Sequence, residues 1–288
     1  MKNILIFGVG LIGGSIALKI KQEKLFDRII GIGRSGGTSL TPFVSSGMLD
    51  AITENPIEVI DSANLIIIAT PVAQTKKILK DIYPLLNKNT LITDVGSTKS
   101  NIMDDAEAIL KEKFIQFIGS HPIAGSEKHG PDAADNRLFE GKDIIITPHK
   151  NSSALSIDSL SKFWLSLGGR VTTMTPVHHD EIFSTVSHLP HLLAFGLVNL
   201  INNKNNKDQL LNFAASGFRD FSRIAASSPE VWRDISIANK KAILEDLNGY
   251  KAELATMINL IEKGDVIGLD KYLDEASTTR TEWTGSKY

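Results

Sequence analysis

Short apolar runs alternate with amphipathic stretches over the first 175 residues of the chain. Runs rich in β-branched residues, which indicate buried strands, occur at residues 3–9, 28–33, 64–70, 90–95, 115–119, 143–147 and 170–174. Helix-period stretches lie between several of these runs, at residues 72–86, 101–113 and 153–167. Strands that alternate with helices in this way predict an α/β domain built on a doubly wound, mostly parallel sheet.

Beyond Thr175 the pattern is helical throughout. Thr175-Pro176 and Ser228-Pro229 each place a capping hydroxyl before a proline at the first helical position. We therefore place a domain boundary at residue 175, with a dinucleotide-binding domain over residues 1–175 and an all-α domain over residues 176–288. The second domain has little room for a complete core of its own, which favours a helical dimer interface.

Composition narrows the class of protein further. Hydrophobic residues make up 42% of the chain and charged residues 22%, which is typical of a globular protein. The formal net charge of -2 offers no electrostatic attraction for nucleic acid or an anionic membrane. The sequence contains no cysteine, which removes disulfides, thiolate metal sites and cysteine nucleophiles, and we predict no metal site. We also expect no secretory signal and no membrane span, and hence a cytoplasmic location.

The stretch FGVGLIGGS joins the first predicted strand to a helix and has the spacing G-x-G-x-x-G. In this context Gly8 permits a tight turn, Gly10 lets the backbone approach a pyrophosphate, and Gly13 allows the helix to pack closely on the strand. The alternative is a tight turn without a ligand. The predicted dinucleotide contacts are Gly8, Gly10, Leu11, Ile12, Gly13, Thr70 and Pro71.

The end of the second predicted strand bears on the choice of dinucleotide. NAD sites usually carry an acidic residue there, to bind the ribose 2′-hydroxyl. Here the sequence continues from Gly33 to Arg34 and Ser35, a planar cation and a hydroxyl that suit a 2′-phosphate. We therefore predict NADP as the preferred cofactor, with NAD possible. The alternative is that Arg34 is an ordinary solvated arginine.

Two polar segments, DVGSTK and GSHPIAGSEK, follow predicted strands at the edge where α/β sheets bind ligands. His121 is expected to lead directly from a strand into a loop. There it could take a proton from a substrate hydroxyl while hydride leaves the same carbon. Ser97 could hold the histidine or the hydroxyl, or could cap a helix. A structural loop histidine is the alternative for His121.

Polar residues also interrupt the apolar helix predicted over residues 177–200. Asp180, Ser184, Ser187 and His191 fall within a narrow arc, with His188 at its edge. Such a stripe must meet water, a partner, a ligand or hydrogen-bonding groups of the core. Proline at position 190 predicts a kink and a freed carbonyl.

A third set of polar residues lies in the stretch SGFRDFSRI. Arg219 and Arg223 are four residues apart and would share one helix face. Two guanidinium groups so placed suit a substrate with carboxylates. The alternative is a solvated salt-bridge face that includes Asp220.

Together these motifs resemble the prephenate and arogenate dehydrogenase family of tyrosine biosynthesis. The matching stretches are GVGLIGGS, DVGSTK, GSHPIAGSEKHG, LFEGK, HHDEIFSTVSHLPH and SGFRDFSRIAASSPEVWRDI. The resemblance implies a Rossmann domain followed by a helical dimerisation domain, and a homodimer. It also implies oxidative decarboxylation of prephenate, arogenate or both, with hydride transfer to NAD(P)+.

The resemblance further implies roles for individual residues. His121 matches the catalytic histidine that hydrogen-bonds the ring 4-hydroxyl, and Ser97 matches a serine that assists it. Arg223 matches the arginine that binds a substrate carboxylate. The other implied pocket residues are His188, His191, Arg219, Asp220, Ser126, Glu127, Asp180 and Trp232. Two positions depart from the family: Arg34 stands where many NAD-using members have aspartate, and Arg219 where lysine is frequent.

Two expectations about charge follow. His121 must be neutral to accept a proton, so activity should fall below about pH 6.5, the usual histidine pKa. His191 and Arg219, if both are cations, would favour the keto acid prephenate over the ammonium-bearing arogenate.

Two other functions remain open. A β-hydroxyacid dehydrogenase would need a catalytic lysine in the helical domain, and we find none in an equivalent apolar context. A catalytically silent dinucleotide sensor or dimeric scaffold would need neither His121 nor Arg223.

Overall fold

The computed structural model describes residues 2–33, 40–125 and 130–283. Its larger sheet contains five parallel strands: β1 (Asn3–Phe7), β2 (Arg28–Ile32), β3 (Ala51–Thr53), β4 (Ala63–Ile68) and β5 (Leu91–Asp94). The strands lie in the order β3-β2-β1-β4-β5, so the winding direction reverses between β1 and β4. In open α/β sheets the carboxyl ends of the strands at such a reversal form the ligand crevice.

A smaller sheet continues beside β5. It contains β6 (Gly119–Pro122), β7 (Asp143–Thr147) and β8 (Arg170–Thr173), with β6 antiparallel to β7 and β7 parallel to β8. A parallel bridge between Ile92 and Phe117 joins the two sheets. The strand predicted over residues 115–119 is wrong in position, because residues Lys111–Gln116 form a 3-10 turn. His121 is therefore the penultimate residue of β6 and does not lie in the loop after that strand.

Helices cover both faces of the sheets. In the N-terminal half these are α1 (Leu11–Glu23), α2 (Thr41–Ser45), α3 (Val72–Ile82), α4 (Ser100–Leu110) and α5 (Ala154–Ser166), the last of which packs against β8 of the smaller sheet. One core includes Ile16 of α1 and Trp164 of α5, and the other includes Leu79 of α3 and Ile102 of α4. Short 3-10 turns occur at Pro56–Glu58, Ile60–Ser62, Tyr83–Leu85 and Pro131–Ala133. The predicted doubly wound, mostly parallel fold class is confirmed.

The C-terminal half is helical. Its elements are α6 (Pro176–Phe183), a π turn (Ser184–His188), α7 (Leu189–Asn202), α8 (Lys207–Asn212), α9 (Ser216–Ser222), a 3-10 turn (Arg223–Ala226), α10 (Pro229–Ala238), α11 (Lys240–Lys263) and α12 (Val266–Glu282). Pro190 lies in the first turn of α7, directly after the π turn, in which Leu189 N–H donates to the Ser184 carbonyl. Proline has no N–H group to donate to a helical hydrogen bond. The wider π turn accommodates this missing bond, so the helix continues through Pro190.

Large apolar side chains remain exposed over much of the helical half. They include Val186, Phe213, Ile237, Ile258, Ile261 and Ile267. An exposed apolar surface of this kind is typical of a site that binds another protein chain.

The helical segment Pro176–Asn202 is long and apolar enough to cross a membrane by length and composition alone. The sequence led us to expect no membrane span, and the length and composition of this segment run against that expectation. Only 17% of its most apolar window is buried. Asp180, near the start of this segment, binds backbone amides of the N-terminal half.

Candidate active site

The glycine loop between β1 and α1 has the stereochemistry that its spacing predicts. Gly8 has a φ of +86°, and a Cβ there would lie 2.7 Å from the Ala69 carbonyl oxygen. A Cβ on Gly13 would lie 2.1 Å from the Gly8 carbonyl oxygen, so the helix packs directly on the loop. A Cβ on Gly10 would meet nothing within 4 Å. The loop is thus closed on its protein side and open at Gly10.

The surroundings of Gly10 fit a bound anion. Helix α1 begins at Leu11 and Ile12 without a side-chain cap, so the amides of its first turn are available to a ligand. The Thr70 hydroxyl follows β4 beside the loop and is buried without a hydrogen-bond partner among the described residues. Pro71 then begins α3 as its N-cap. Because buried hydroxyls are normally satisfied, Thr70 fits a cofactor contact.

Four of the predicted contacts cannot be placed in the fold. Arg34, Ser35, Ser126 and Glu127 lie outside the residues that the structure describes.

A buried ion pair organises the end of β5. The Lys99 ammonium contacts the Asp94 carboxylate and donates to the Ser120 carbonyl oxygen at 2.8 Å. Gly96 N–H donates to the same carboxylate at 2.7 Å. Burial raises the pKa of Asp94 and lowers the pKa of Lys99, and the charge of each partner opposes that effect. The pair ties the loop after β5 to strand β6, which carries His121.

Asp180 of α6 caps helix α4 across the boundary between the two halves. Its carboxylate accepts the backbone N–H of Lys99 at 2.7 Å and that of Ser100 at 2.8 Å. Burial opposes ionisation, but hydrogen bonds from His179 and from these amides outweigh it and hold the pKa of Asp180 below its usual value. Two expectations need correction. Ser97 is not the helix cap, and both Asp180 oxygens bind protein groups instead of a substrate.

His179 connects this carboxylate to His121. His179 Nδ1 lies 2.8 Å from Asp180 Oδ1, and His179 Nε2 lies 2.8 Å from His121 Nδ1. His179 is fully buried, and the Phe183 ring packs against both imidazoles with centroid distances of 4.6 and 5.0 Å. Within the described ranges the side chain that hydrogen-bonds His121 is therefore His179, and the assisting role implied for Ser97 stays a prediction. Sequence reasoning missed His179, although it adjoins Asp180 in the HHDE stretch.

The environment of His121 keeps its imidazole neutral. Burial lowers the pKa of His121 well below 6.5, and the nearby His179, Lys99 and His188 lower it further. The expected loss of activity near pH 6.5 is therefore corrected to a lower pH. His121 as a whole residue is only partly buried.

The π turn brings a different set of side chains inward than a regular helix would. Asp180, Ser184 and His188 are buried at four-residue intervals, so His188 lies within the buried face and not at its edge. His188 Nδ1 lies 3.2 Å from Asn239 Nδ2, which also donates to the Asp180 carbonyl oxygen at 2.8 Å. Burial lowers the pKa of His188 to about 4. Ser184 Oγ is buried without a hydrogen-bond partner in the described ranges.

His191 lies one turn further along α7. Its Nδ1 lies 2.9 Å from the Ser187 carbonyl oxygen, and its ring stacks on Trp232 of α10 with a centroid distance of 3.8 Å. Burial lowers the pKa of His191, so the residue is neutral near pH 7. The predicted preference for the keto acid prephenate relied on positive charges at both His191 and Arg219. With His191 neutral, only the charge of Arg219 is left to support it.

The remaining predicted residues lie apart from this buried cluster. Arg219 and Asp220 are exposed on α9, and Arg223 is exposed on the 3-10 turn that follows it. Both elements pack against α7, on which His191 lies. The structure thus brings His121, His188, His191 and Trp232 into one connected region and places the arginines on the adjoining surface.

Comparison with known families covers most of the chain. Residues 16–173 match the model of the prephenate dehydrogenase nucleotide-binding domain. Residues 175–275 match the model of the prephenate dehydrogenase dimerization domain.

Individual proteins agree with these matches. The chain is 38% identical to prephenate dehydrogenase of Bacillus subtilis, covering 96% of this chain and 75% of that protein. It is 31% identical to cyclohexadienyl dehydrogenase of Zymomonas mobilis, covering 97% and 95%. Prephenate dehydrogenase of Aquifex aeolicus, solved with hydroxyphenyl propionate and NAD+, superposes with a TM-score of 0.90 at 34% identity, covering 98% of each chain. The chain therefore belongs to the prephenate dehydrogenase family of nicotinamide-dependent oxidoreductases.

Proposed function

We propose that this protein catalyses the oxidative decarboxylation of prephenate, arogenate or both, coupled to reduction of NADP+ in preference to NAD+. The observation that carries the proposed oxidation is the partly buried His121 near the end of β6, hydrogen-bonded to His179 and with its pKa lowered by burial. Strand β6 continues the segment that bridges in parallel to β5, so His121 lies toward the same sheet edge as the glycine loop. That placement suits removal of a proton beside a bound dinucleotide.

The reaction requires little covalent chemistry from the protein. When bound, a nicotinamide would supply the acceptor for hydride from the ring carbon that carries the 4-hydroxyl group. His121 takes the hydroxyl proton on Nε2, which turns the alcohol into a ketone. The bond between the ring and its carboxylate then breaks and CO2 leaves. The electron pair of that bond moves through the ring to the ketone oxygen, which takes a proton back from His121 as the ring becomes an aromatic phenol. The chain must therefore orient the substrate and hold the base neutral.

The proposed preference for NADP rests on sequence. Gly33 follows β2, and the next residues are Arg34 and Ser35, with no acidic residue at the position that usually binds a ribose 2′-hydroxyl. The groups available to the dinucleotide phosphates are the amides at the start of α1, around the open position Gly10.

Neutral His191 supports acceptance of both substrates. With Nδ1–H donated to Ser187, its Nε2 is an acceptor, so the residue carries no positive charge that would repel an ammonium group.

We also propose a homodimer, formed through the helical half. The exposed apolar side chains of α10, α11 and α12 and the match to a dimerization-domain model support it. The domain boundary at residue 175 and the cytoplasmic location stay predictions.

Gly10→Ala is expected to weaken cofactor binding without loss of stability. A Cβ at position 10 meets no protein atom, but it enters the open space over the loop. The KM for the dinucleotide should rise at least about tenfold, while Tm stays constant. Gly13→Ala is the matched comparison, because its Cβ would collide with the Gly8 carbonyl and should lower Tm. An unchanged KM in Gly10→Ala would contradict this assignment.

Arg223→Ala is expected to raise the KM for prephenate by about 10- to 100-fold, the effect of losing a charge-assisted hydrogen bond. The KM for the dinucleotide should not change. Arg233→Ala is the control, since Arg233 is exposed on α10 and pairs with Asp234. If the dinucleotide KM rises instead, Arg223 does not bind the substrate carboxylate.

Initial rates test the proposed function directly. Prephenate and arogenate are each supplied with NADP+ and with NAD+, and reduction is followed by nicotinamide absorbance. Turnover with NADP+ exceeding that with NAD+ is expected. Faster turnover with NAD+ would show that Arg34 does not select the cofactor that carries a 2′-phosphate. Binding of dinucleotide without turnover of either substrate would favour the silent sensor or scaffold.

A further inference from the structure

We propose that His179 is a positioning residue that fixes the tautomer of His121, with Asp180 as its anchor. The inference rests on the proposed role of His121 as the base. It concerns a fully buried side chain.

The donors and acceptors in this chain can be assigned in one direction. The Asp180 carboxylate already accepts two backbone amides and can only accept, so His179 Nδ1 must carry its hydrogen. In a neutral imidazole, His179 Nε2 is then an acceptor. It faces His121 Nδ1 at 2.8 Å, so His121 Nδ1 must donate. His121 Nε2 is left with a free lone pair, which is the form that a base requires.

The same arrangement favours the charged state that His121 reaches after it takes a proton. An imidazolium donates from Nδ1 more strongly, and His179 passes that polarisation to a buried carboxylate. The charged and titratable groups facing the two histidines are Lys99 of the loop before α4, Asp94 of β5, Asp180 of α6 and His188 of the π turn. The Asp94–Lys99 pair is internally balanced, so Asp180 is the negative charge directly bonded to the histidine chain.

The geometry is held from several sides. Helix α4 fixes the Asp180 carboxylate through its first amides, and Phe183 packs against both rings. Ring rotation of His179 would break its bonds to both neighbours. The chain Asp180–His179–His121 is thus pre-organised before any ligand binds.

Two substitutions separate positioning from packing. His179→Phe keeps a ring beside Phe183 but removes the acceptor. We expect kcat to fall by about 10²- to 10³-fold, with both KM values within about threefold of wild type. His179→Gln retains an amide oxygen that can accept from His121 and should recover most of this loss. His178→Phe, one residue earlier and exposed, is the control and should leave kcat unchanged.

A readout independent of activity completes the test. Histidine-selective 15N labelling of the full chain reports which ring nitrogen carries hydrogen, and His121→Asn identifies the His121 signals. Wild type should show a protonated Nδ1 and an unprotonated Nε2, and His179→Phe should show a mixture. If wild-type His121 carries its hydrogen on Nε2, or if His179→Phe keeps both the tautomer and kcat, the proposal is overturned. If that variant does not fold, the wild-type tautomer decides. A correct tautomer with no turnover would overturn the proposed function and leave the positioning role supported.

Discussion

Replacement of His121 by asparagine is expected to lower kcat by about 10²- to 10⁴-fold, the range for loss of a positioned general base. The side chain lies at the end of β6, and the pKa of its imidazole is well below the usual value because of burial. Wild-type activity should therefore persist below pH 6.5 and decline only as the pH falls through that lowered pKa. The variant should lose this acid limb, because asparagine does not titrate.

The measurement is a pH profile of kcat for both proteins, with binding of the dinucleotide measured separately. His178→Asn is the control, because the His178 side chain is exposed and lies one residue before the buried His179. Near-normal turnover in His121→Asn, or an acid limb that both proteins share, would remove His121 from the chemistry.

Lys99→Met is expected to lower the free energy of unfolding by about 3–5 kcal/mol, the cost of leaving one partner of a buried ion pair alone. Lys99 and Asp94 are fully buried, and the ammonium also donates to the Ser120 carbonyl. Without the lysine, the buried Asp94 carboxylate loses its counter-charge and keeps only backbone hydrogen bonds such as that from Gly96, so burial raises its pKa further above the value in the unfolded chain. The loss should therefore be largest at neutral pH and shrink as the pH falls and Asp94 takes a proton.

Denaturant unfolding at a fixed protein concentration measures this effect, since the proposed dimer would make apparent stability depend on concentration. Lys76→Met is the matched control, because its pair with Asp105 is exposed and should contribute at most about 1 kcal/mol. The double variant Asp94→Asn with Lys99→Met should recover part of the loss. A loss in Lys99→Met no greater than that of the control would contradict the structural role of the pair.

Periodicity sufficed to predict the fold class, because buried parallel strands and amphipathic helices have distinct patterns. Periodicity failed where the secondary structure that a local stretch favours differs from the one that tertiary packing imposes. Ile115, Phe117 and Ile118 make residues 115–119 resemble a strand. Ile115, however, is exposed in the turn Lys111–Gln116, and Phe117 enters the core directly after that turn. The strand beside them, Gly119–Pro122, has little β-propensity and forms because β7 pairs with it.

The site was predictable only in part for the same reason. The glycine loop is a local feature, and its three glycines have the geometry that their spacing predicts. Motif resemblance drew attention to His121, but the partner of His121 comes from another element. His179 adjoins the polar stripe in sequence, and only the packing of α6 against α4 and β6 brings it to His121. The π turn moves His188 into the buried face, and the spacing of polar and apolar residues in the sequence does not predict such a turn.

The lowered histidine pKa values are also tertiary effects. They arise because burial penalises the charged imidazoles, and burial at His121 and His188 depends on helices contributed by the second half of the chain.

The most direct test of the central claim is the product balance of a single reaction. Purified protein is incubated with prephenate and NADP+, and reduced nicotinamide, CO2 and the aromatic product are measured together. Equal amounts of the three are expected, because hydride loss, decarboxylation and aromatisation belong to one event. Reduced nicotinamide without CO2, or no reduction with either prephenate or arogenate, would contradict the proposed oxidative decarboxylation.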